Sequence, residues 1–379
     1  MKFKLETTIA RVGTHPDAES AGLSPSIHLA TTFARDEHGQ HPAGYLYSRI
    51  SNPTRNKLEE ALAELEGGVS GMAFSSGMAA VNAIFQALGP GDRILLPHDI
   101  YYGVRKLAEE HFSTWGLKVD QVDMANEQAL AEELSSKTAL VWIETPSNPQ
   151  LNITDIEHVC QLAHAAGARV VVDNTWSTPV ITRPFEWGAD VVMHSITKYF
   201  GGHSDVLGGA LICKQDDGFT QKLRSIQQGA GAVLDPFSAW LTMRGIRSLG
   251  ARLSRQCDSA ESIASFLSEH PFIERVHFPG LSSDPGHAVA TKQMNRFGAM
   301  LSCRVKGTAD QARKVASSLT LFANATSLGG TESLIEHRAS VEGPYSTTPA
   351  NLLRISVGLE SAQDLIDDLD STLRSVFVK

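Results

Sequence analysis

The sequence has no long apolar run and few cysteines. None of its segments approaches the roughly 18 apolar residues that a membrane-spanning helix needs, and residues 1–11 lack the apolar core of a secretory signal. We therefore expect a cytoplasmic protein without a membrane partner. The cysteines lie far apart, whereas zinc and redox centres use close pairs, so they predict buried, reduced thiols. They are Cys160, Cys213, Cys257 and Cys303.

Excess positive charge and nucleotide-binding motifs are also lacking. The formal net charge is −9, and no Lys/Arg cluster compensates for it locally. This argues against nucleic acid as a partner, because a phosphodiester backbone requires a basic footprint. There is no GxxxxGK[ST] loop, and no GxGxxG sequence opens a βαβ unit. These absences argue against a nucleotide triphosphatase and a nicotinamide dehydrogenase.

Length and local composition predict three parts. With 379 residues, the chain exceeds what one hydrophobic core usually supports. Residues 1–55, interrupted by prolines, glycines and polar runs, predict an arm that packs on another subunit. Residues 56–245 predict a large α/β domain, and residues 246–379 predict a smaller C-terminal α/β domain. His38 and His41 in the arm have no partner ligands in register, which favours a solvated loop over a metal site.

Hydrophobic periodicity supports this organisation. Short, nearly all-apolar strands alternate with helical patterns, which is typical of a mainly parallel sheet covered on both faces. One helix is predicted to begin at a capping box of Thr154 and Glu157 and to end at Gly167. The last helix is predicted to begin at Ser361, with Asp364 as its capping partner. The predicted buried positions are Ile156, Val159, Cys160 and Ala163 in the first helix and Leu365, Leu369, Leu373 and Phe377 in the last.

Lys198 is the first candidate for chemistry. It follows a predicted buried strand, 189–194, and should lie just beyond its carboxyl end, where α/β folds place ligand sites. A partly desolvated amine there has a lowered pKa and can form a Schiff base with the aldehyde of pyridoxal 5'-phosphate (PLP). Ser195 and Thr197 are candidates to bind the phosphate of that cofactor. Alone, the SxTK pattern also fits a lysine that faces solvent.

Two more segments fit the same cofactor. Asp173 ends an apolar strand upstream of Lys198, and a buried carboxylate keeps a pyridine nitrogen protonated. The segment 75–78 joins a strand to a helix, so the backbone N–H groups of Gly77 and Met78 can meet a phosphate at the positive helix end. Taken singly, Asp173 also fits a turn or a helix cap, and segment 75–78 fits a simple serine cap.

An ordered set of motifs resembles the cystathionine-metabolising (Cys/Met metabolism) family of PLP-dependent enzymes. The resemblance spans nearly the whole chain and implies the PLP-dependent transferase fold of type I, with a mostly parallel central sheet flanked by helices. The motifs are Tyr47–Thr54, Ser75–Met78, Asp99–Tyr101, Glu144–Pro149, Val172–Thr175, Ser195–Tyr199, Ser327–Gly330 and Arg354–Glu360.

The resemblance implies roles in cofactor binding. Lys198 would carry the cofactor, Asp173 would partner its pyridine nitrogen, and Asn148 would contact its phenolic oxygen. Tyr101 would stack on the ring and is a candidate acid for the leaving group. Tyr47 and Arg49 would reach the phosphate of the neighbouring subunit, which implies catalytic dimers that usually pair into a tetramer. Within one subunit the phosphate would be held by Gly77, Met78, Ser195 and Thr197.

The resemblance also implies a substrate site and an activity. Arg354 would clamp the α-carboxylate of an amino-acid substrate, helped by Ser327 and Asn148, and so orient the Cα–H bond for removal by Lys198. We expect elimination or replacement at Cβ or Cγ of a sulfur-linked amino acid, of the cystathionine γ-lyase or γ-synthase type. The alternatives are an O-acylhomoserine sulfhydrylase, a methionine γ-lyase, and a PLP-binding protein without catalysis.

Some positions depart from the family pattern. Thr326 stands where many relatives carry a glutamate that meets the distal ammonium of the substrate, and a hydroxyl cannot replace that charge. This disfavours cystathionine as the best substrate. Tyr102 stands where methionine-cleaving relatives usually carry a cysteine, which disfavours methionine. Arg105 and Lys106 fit either a site for a distal carboxylate or ordinary charge on a helix surface.

Overall fold

Two β-sheets with flanking helices organise the chain. The structure is a computed structural model that describes residues 3–14, 16, 20–343 and 346–378. The larger sheet contains the first seven strands, β1 (Ser70–Phe74), β2 (Arg93–Pro97), β3 (Lys118–Val122), β4 (Leu140–Glu144), β5 (Arg169–Asp173), β6 (Val191–Ser195) and β7 (Gly209–Cys213). The smaller sheet contains β8 (Ile273–His277), β9 (Met300–Val305), β10 (Ala323–Asn324), β11 (Leu334–His337) and β12 (Leu352–Ser356).

Helices connect these strands and cover the sheets. A π-helical turn, Leu107–Phe112, continues α4, and a 3₁₀ turn, Pro184–Trp187, follows α7. The α-helices are α1 (Leu5–Ala10), α2 (Pro53–Glu66), α3 (Gly77–Gln86), α4 (Tyr102–Lys106), α5 (Glu127–Leu134), α6 (Ile156–Ala165), α7 (Thr178–Ile181), α8 (Gly218–Ala230), α9 (Pro236–Ile246), α10 (Leu249–Glu269), α11 (His287–Gln293), α12 (Ala309–Ser318), α13 (Arg338–Glu342) and α14 (Ala362–Phe377).

The larger sheet is mainly parallel, which confirms the predicted α/β class. Its strand order is β1-β7-β6-β5-β4-β2-β3, and only β7 runs antiparallel to its neighbours. Strand β4 shows why such strands read as continuous apolar runs. Its Val141 and Ile143 pack into the apolar cluster on one face of the sheet, whereas Leu140 and Trp142 pack into the cluster on the other face. The smaller sheet, in the order β10-β11-β12-β9-β8, has its own core against α10, α12 and α14.

The topology of the larger sheet gathers polar groups at one edge. Strands β4, β5 and β6 are parallel neighbours, so their carboxyl ends lie side by side. In this register Glu144 lies opposite Asp173, and Asp173 lies opposite Met193. Lys198 follows within three residues of the end of β6. The edge where α/β folds bind ligands therefore carries two carboxyl groups and an amine.

One predicted helix cap is wrong and another is confirmed. Helix α6 begins at Ile156, and its cap is Asp155, whose carboxylate accepts the N–H of His158 at 3.1 Å. Thr154 does not form the predicted capping box, because a carboxylate one residue later serves the positive helix end and the Thr154 carbonyl accepts from Gln293. In α14, Ser361 accepts the N–H of Asp364 as predicted. The predicted buried positions of both helices are buried except Phe377, which is half-buried.

The remaining local predictions concern cysteines, metals and membranes. All four cysteines are free and buried, in agreement with the sequence. Among the residues that the structure describes, no group of His, Cys, Asp and Glu side chains could hold a metal ion. Within the same residues, no helix combines the length and the apolar character needed to cross a bilayer.

Candidate active site

A cavity of about 230 Å³ opens at the carboxyl edge of β4, β5 and β6. All the predicted site residues except Tyr47 and Arg49 line it. A larger open groove of about 860 Å³ lies nearby, shares Glu144 with the cavity and does not include Lys198. The residues that line the cavity and were predicted from the sequence are Gly77, Met78, Tyr101, Asn148, Asp173, Ser195, Thr197, Lys198, Thr326, Ser327 and Arg354.

The Lys198 amine is held in a low-polarity setting close to other cations. Its Nζ donates to the Ser327 hydroxyl at 2.8 Å. Burial, reinforced by the charges of Arg354 and Arg338, lowers the pKa of Lys198 to about 8, while Glu336 opposes that shift. A sizeable fraction of the amine is therefore neutral near physiological pH, and a neutral amine is both a nucleophile towards an aldehyde and a proton acceptor.

Two carboxyl groups share the strand ends opposite Lys198. Burial raises the pKa of Asp173, against the opposing effect of hydrogen bonds from Thr175 and of the nearby His194. Burial and the neighbouring Asp173 carboxylate raise the pKa of Glu144 well above its usual range. Like charges on neighbouring strand ends disfavour double ionisation, and the upward shift is the larger one for Glu144. Asp173 is the carboxyl group of the pair that accepts hydrogen bonds from Thr175 and feels the nearby His194, both of which favour its ionised form.

A buried pair formed by His194 and Glu66 lies next to the strand end that carries Asp173. His194 on β6 lies 2.5 Å through Nε2 from the Glu66 carboxylate at the end of α2. Asn174, the residue after Asp173, donates to the same Glu66 oxygen at 2.9 Å. These contacts connect the end of β5 to α2, and the Asp173 carboxyl group itself accepts the N–H of Thr175 at 3.0 Å.

The amino end of α3 forms one wall of the cavity. The helix begins at Gly77, and the Ser76 hydroxyl caps it by accepting the N–H of Ala79 at 3.0 Å. The first N–H groups of a helix lack partners within the helix, so those of Gly77 and Met78 are available to an anion in the cavity that both residues line. A Cβ at Gly77 would lie 3.2 Å from the Ser195 side chain. Glycine therefore allows the close approach of α3 to the residue that ends β6.

Tyr101 stands at the mouth of the cavity. Its backbone N–H donates to the Glu144 carboxyl group at 2.9 Å, and the residue is 39% exposed. A Cβ at Gly103 would come within 2.6 Å of the Tyr101 ring. Because position 103 is glycine, the Tyr101 ring can pack against the start of α4. In that position the ring can cover a flat ligand in the cavity.

Arg354 on β12 reaches the same cavity from the smaller sheet. Its guanidinium donates to the Asn148 side chain at 3.0 Å, to the Ser327 carbonyl at 3.1 Å and to the Glu336 carboxylate at 2.8 Å. Burial and the nearby charge of Arg338 lower the pKa of Arg354 to about 10, so the group remains cationic at neutral pH. A fork-shaped cation held this rigidly is suited to bind a carboxylate in two-point geometry.

The sequence reasoning missed three charged residues next to Arg354. Glu336 on β11 is the register partner of Arg354 on β12, and its carboxylate also accepts from Arg338 at 3.0 Å and from the Thr326 hydroxyl at 2.6 Å. Arg338 donates to Glu342 at 3.1 Å. In the sequence, the feature that could have pointed to these residues is the polar run from Glu336 to Arg338, which ends an otherwise apolar strand.

Some candidate residues lie outside the cavity in the single chain. Tyr47 and Arg49 are exposed on the arm, where the Arg49 guanidinium lies over the Tyr47 ring and donates to the Gln228 carbonyl. Arg105 and Lys106 lie 5.7 Å and 5.9 Å from the centre of the Tyr102 ring on α4, and neither lines the cavity.

The fold and this cavity define a class of enzyme. An amine with a lowered pKa, a buried carboxyl group and a helix amino end line one cavity, and these groups suit the aldehyde, the ring nitrogen and the phosphate of PLP. The chain matches the family described as Cys/Met metabolism PLP-dependent enzyme over residues 6–374. It belongs to that family. It is therefore a PLP-dependent enzyme of the carbon–sulfur lyase and γ-replacement type that acts on amino acids.

Relatives and solved structures agree with this assignment. The chain is 42% identical over 373 residues to the cystathionine gamma-synthase of Mycobacterium tuberculosis, covering 97% of this chain and 96% of the relative. It is 37% identical to the cystathionine gamma-lyase of Bacillus subtilis, covering 99% of this chain and all of the relative. The crystal structure of cystathionine gamma synthase from Xanthomonas oryzae pv. oryzae in complex with cystathionine superposes with a TM-score of 0.95 at 40% identity, covering 99% of this chain and 98% of that one.

Proposed function

We propose that this enzyme catalyses γ-replacement of the cystathionine γ-synthase type. The acyl-oxygen group at Cγ of an O-acylated homoserine leaves, and the sulfur of cysteine takes its place, so that one C–O bond breaks and one C–S bond forms. The observation that carries the proposal is the placement of Lys198 and Arg354 on opposite sheets around one cavity, together with the neutral Thr326 on its wall. Thr326 places no carboxylate on this part of the wall, which suits an O-acylhomoserine, a substrate without a distal ammonium.

Arg354 is proposed to bind the α-carboxylate of the substrate. Its fork is already held by Asn148 and by the Ser327 carbonyl, so little side-chain entropy is lost when the carboxylate arrives. The Lys198 amine, 2.8 Å from the Ser327 hydroxyl, is proposed to face the Cα–H bond. PLP, when bound, supplies the electron sink that makes removal of the Cα proton possible.

Lys198 is proposed to move the protons of the reaction. A base with a pKa near 8 would take the proton from Cα, release it and, once neutral again, take one from Cβ, which is required before a group at Cγ can leave. Asp173 would keep a proton on the ring nitrogen, and the N–H groups of Gly77 and Met78, with Ser195 and Thr197, would hold the phosphate. Tyr101 would donate a proton to the leaving oxygen.

The arm is proposed to complete the site of a second subunit. Large apolar side chains on it are exposed in the single chain, including Leu23 at 69% and Leu29 at 70%, which favours a protein partner over solvent. Tyr47 and Arg49 of one chain would then bind the phosphate in its neighbour, in a catalytic dimer that pairs again into a tetramer. We divide each chain into an arm (1–55), a large domain (56–245) and a C-terminal domain (246–379). The buried free cysteines favour a reducing cytoplasm.

A substrate panel tests the proposed reaction. Purified enzyme with PLP is given O-succinyl- or O-acetyl-homoserine with cysteine, and cystathionine is quantified by chromatography. Ketoacid release is measured from cystathionine and methionine, and sulfide is offered in place of cysteine. We expect cystathionine formation to have the highest kcat/KM. Faster ketoacid release from cystathionine would make the enzyme a lyase instead, and a preference for sulfide would make it a sulfhydrylase.

A further inference from the structure

A second buried guanidinium lines the cavity beside the proposed α-carboxylate site. Arg338 begins α13, directly after β11, and is only 3% exposed. It lines the cavity together with Thr326 and Arg354, whereas Glu336 and Glu342, the carboxylates that accept from it, do not. The charge presented to a ligand on this wall is therefore positive.

The two carboxylates behind Arg338 already accept from several donors. Glu336 accepts from Thr326, Arg338 and Arg354. Glu342 accepts from Arg338 and, at 2.6 and 2.7 Å, from the hydroxyls of Ser346 and Thr348. A substrate ammonium would have to compete with these donors and would also have to approach two guanidinium groups.

Arg338 itself retains unused donor capacity. A guanidinium has five N–H groups, and two contacts with carboxylates account for two of them. Its Nε is buried and has no acceptor among the residues that the structure describes. A buried donor without an acceptor is costly, and a carboxylate oxygen in the cavity would relieve that cost after a small shift of the side chain.

We infer that Arg338 determines specificity for the side-chain end of the substrate, by binding a carboxylate there and by repelling an ammonium. The inference rests on the proposed function and adds to it the charge of the accepted side chain. A dicarboxylic acyl group on homoserine carries such a carboxylate and no ammonium. The neutral Thr326 fits this assignment, because a carboxylate there would face Glu336, which its hydroxyl now contacts at 2.6 Å.

Three amino acids with the same six-carbon skeleton isolate the charge of the distal group. L-2-aminoadipate ends in a carboxylate, L-norleucine in a methyl group and L-lysine in an ammonium, and none of them has a leaving group. Dissociation constants are measured on the PLP-loaded enzyme from the change in visible absorption when an amino acid binds. We expect 2-aminoadipate to bind about tenfold or more tightly than norleucine, the discrimination typical of one hydrogen bond to a charged group, and lysine to bind most weakly.

Two variants assign the discrimination to Arg338. The double variant Arg338→Met/Glu342→Gln removes the cation and its second partner together, so that no new unpaired buried charge is created at Glu342. We expect it to bind 2-aminoadipate and norleucine with equal affinity. Arg338→Lys keeps the charge but loses the fork, and should weaken 2-aminoadipate several-fold while norleucine changes by less than about twofold. Lys314→Gln, which removes an exposed cation of α12 that does not line the cavity, is the matched control and should retain the wild-type order.

The outcome is decisive in each case. Equal affinity of the wild-type enzyme for the three ligands, or an unchanged ratio of 2-aminoadipate to norleucine in Arg338→Lys, would refute the inference even if the double variant fails to fold. Norleucine binding reports on the integrity of the α-carboxylate site in every variant. These measurements require no turnover. An enzyme that shows the expected binding order but forms no cystathionine would therefore refute the proposed reaction and leave the role of Arg338 standing.

Discussion

Replacing Arg354 by lysine tests the central contact of the proposed substrate site. The guanidinium reaches three acceptors in two directions, the Asn148 side chain, the Ser327 carbonyl and the Glu336 carboxylate. A lysine amine on a flexible stem cannot hold these three and also donate to a carboxylate from a fixed position. Because Arg354→Lys keeps the positive charge, any loss of activity reports on the geometry of the guanidinium group and not on its charge.

The expected magnitude follows from the hydrogen bonds that lysine cannot make to the substrate. A hydrogen bond to a charged group contributes about 1.5–3 kcal/mol, and the substrate loses one such bond while the remaining one becomes less well aligned. We expect kcat/KM to fall by roughly 10² to 10³, since each 1.4 kcal/mol corresponds to about tenfold. Most of the loss should appear in KM, because the α-carboxylate is bound in both the ground state and the transition state.

The assay is steady-state formation of cystathionine, with the visible absorption of the bound cofactor as a check that the site is intact. Arg304→Lys is the matched control: Arg304 lies on the adjacent strand β9, forms an ion pair with Glu274 at 3.0 Å, and does not line the cavity. It should retain wild-type kinetics. A change of less than about threefold in kcat/KM for Arg354→Lys would refute the assignment of the α-carboxylate site.

Further predictions concern the cofactor and the arm. Reconstitution of cofactor-free protein with PLP should accelerate as the pH rises through about 8, because the neutral Lys198 amine attacks the aldehyde and its pKa is lowered to that value; a midpoint near the ordinary lysine value would refute this. Lys198→Ala should lose the absorption of lysine-linked cofactor and all turnover, and retained activity would remove Lys198 from the chemistry. Asp173→Asn should lower kcat by at least about 10² while PLP remains bound, because an amide cannot stabilise a protonated ring nitrogen. Mixed dimers of Lys198→Ala and Arg49→Ala subunits should regain activity that neither homodimer has, if Arg49 serves the neighbouring site; no recovery would refute that contribution.

Arg354 and the three charged residues around it illustrate a balance between stability and function. Arg354, Glu336, Arg338 and Glu342 alternate in sign and are all buried. A buried network of this kind contributes little net stability compared with well-packed apolar residues, but removing one member costs about 3–5 kcal/mol because it leaves a charge unpaired. The arrangement therefore holds the cationic wall of the cavity rigidly at the junction of the two sheets.

Local sequence was sufficient to predict the strands and helices that carry the residues proposed to bind the cofactor. The strands that end at Asp173 and Ser195 are short apolar runs, and a buried strand of a parallel sheet leaves no other pattern. The caps of α3 and α14 follow from serines at the helix starts. The residue preferences of helix caps did not identify the cap of α6, because Thr154 and Asp155 are adjacent and both residue types can cap a helix. The choice between them depended on the contact of Thr154 with Gln293, which is distant in sequence.

The sequence by itself determined the α/β alternation and the family, because strand periodicity, helix caps and ordered motifs are written in consecutive residues. Only the tertiary structure decided that the part of the cavity wall formed by Thr326, Arg338 and Arg354 is positively charged. Glu336 and Arg354 meet through the register of β11 and β12, and Asn148 joins them from the larger sheet across 206 positions of sequence. Such contacts depend on how two sheets pack, and no local pattern specifies that packing.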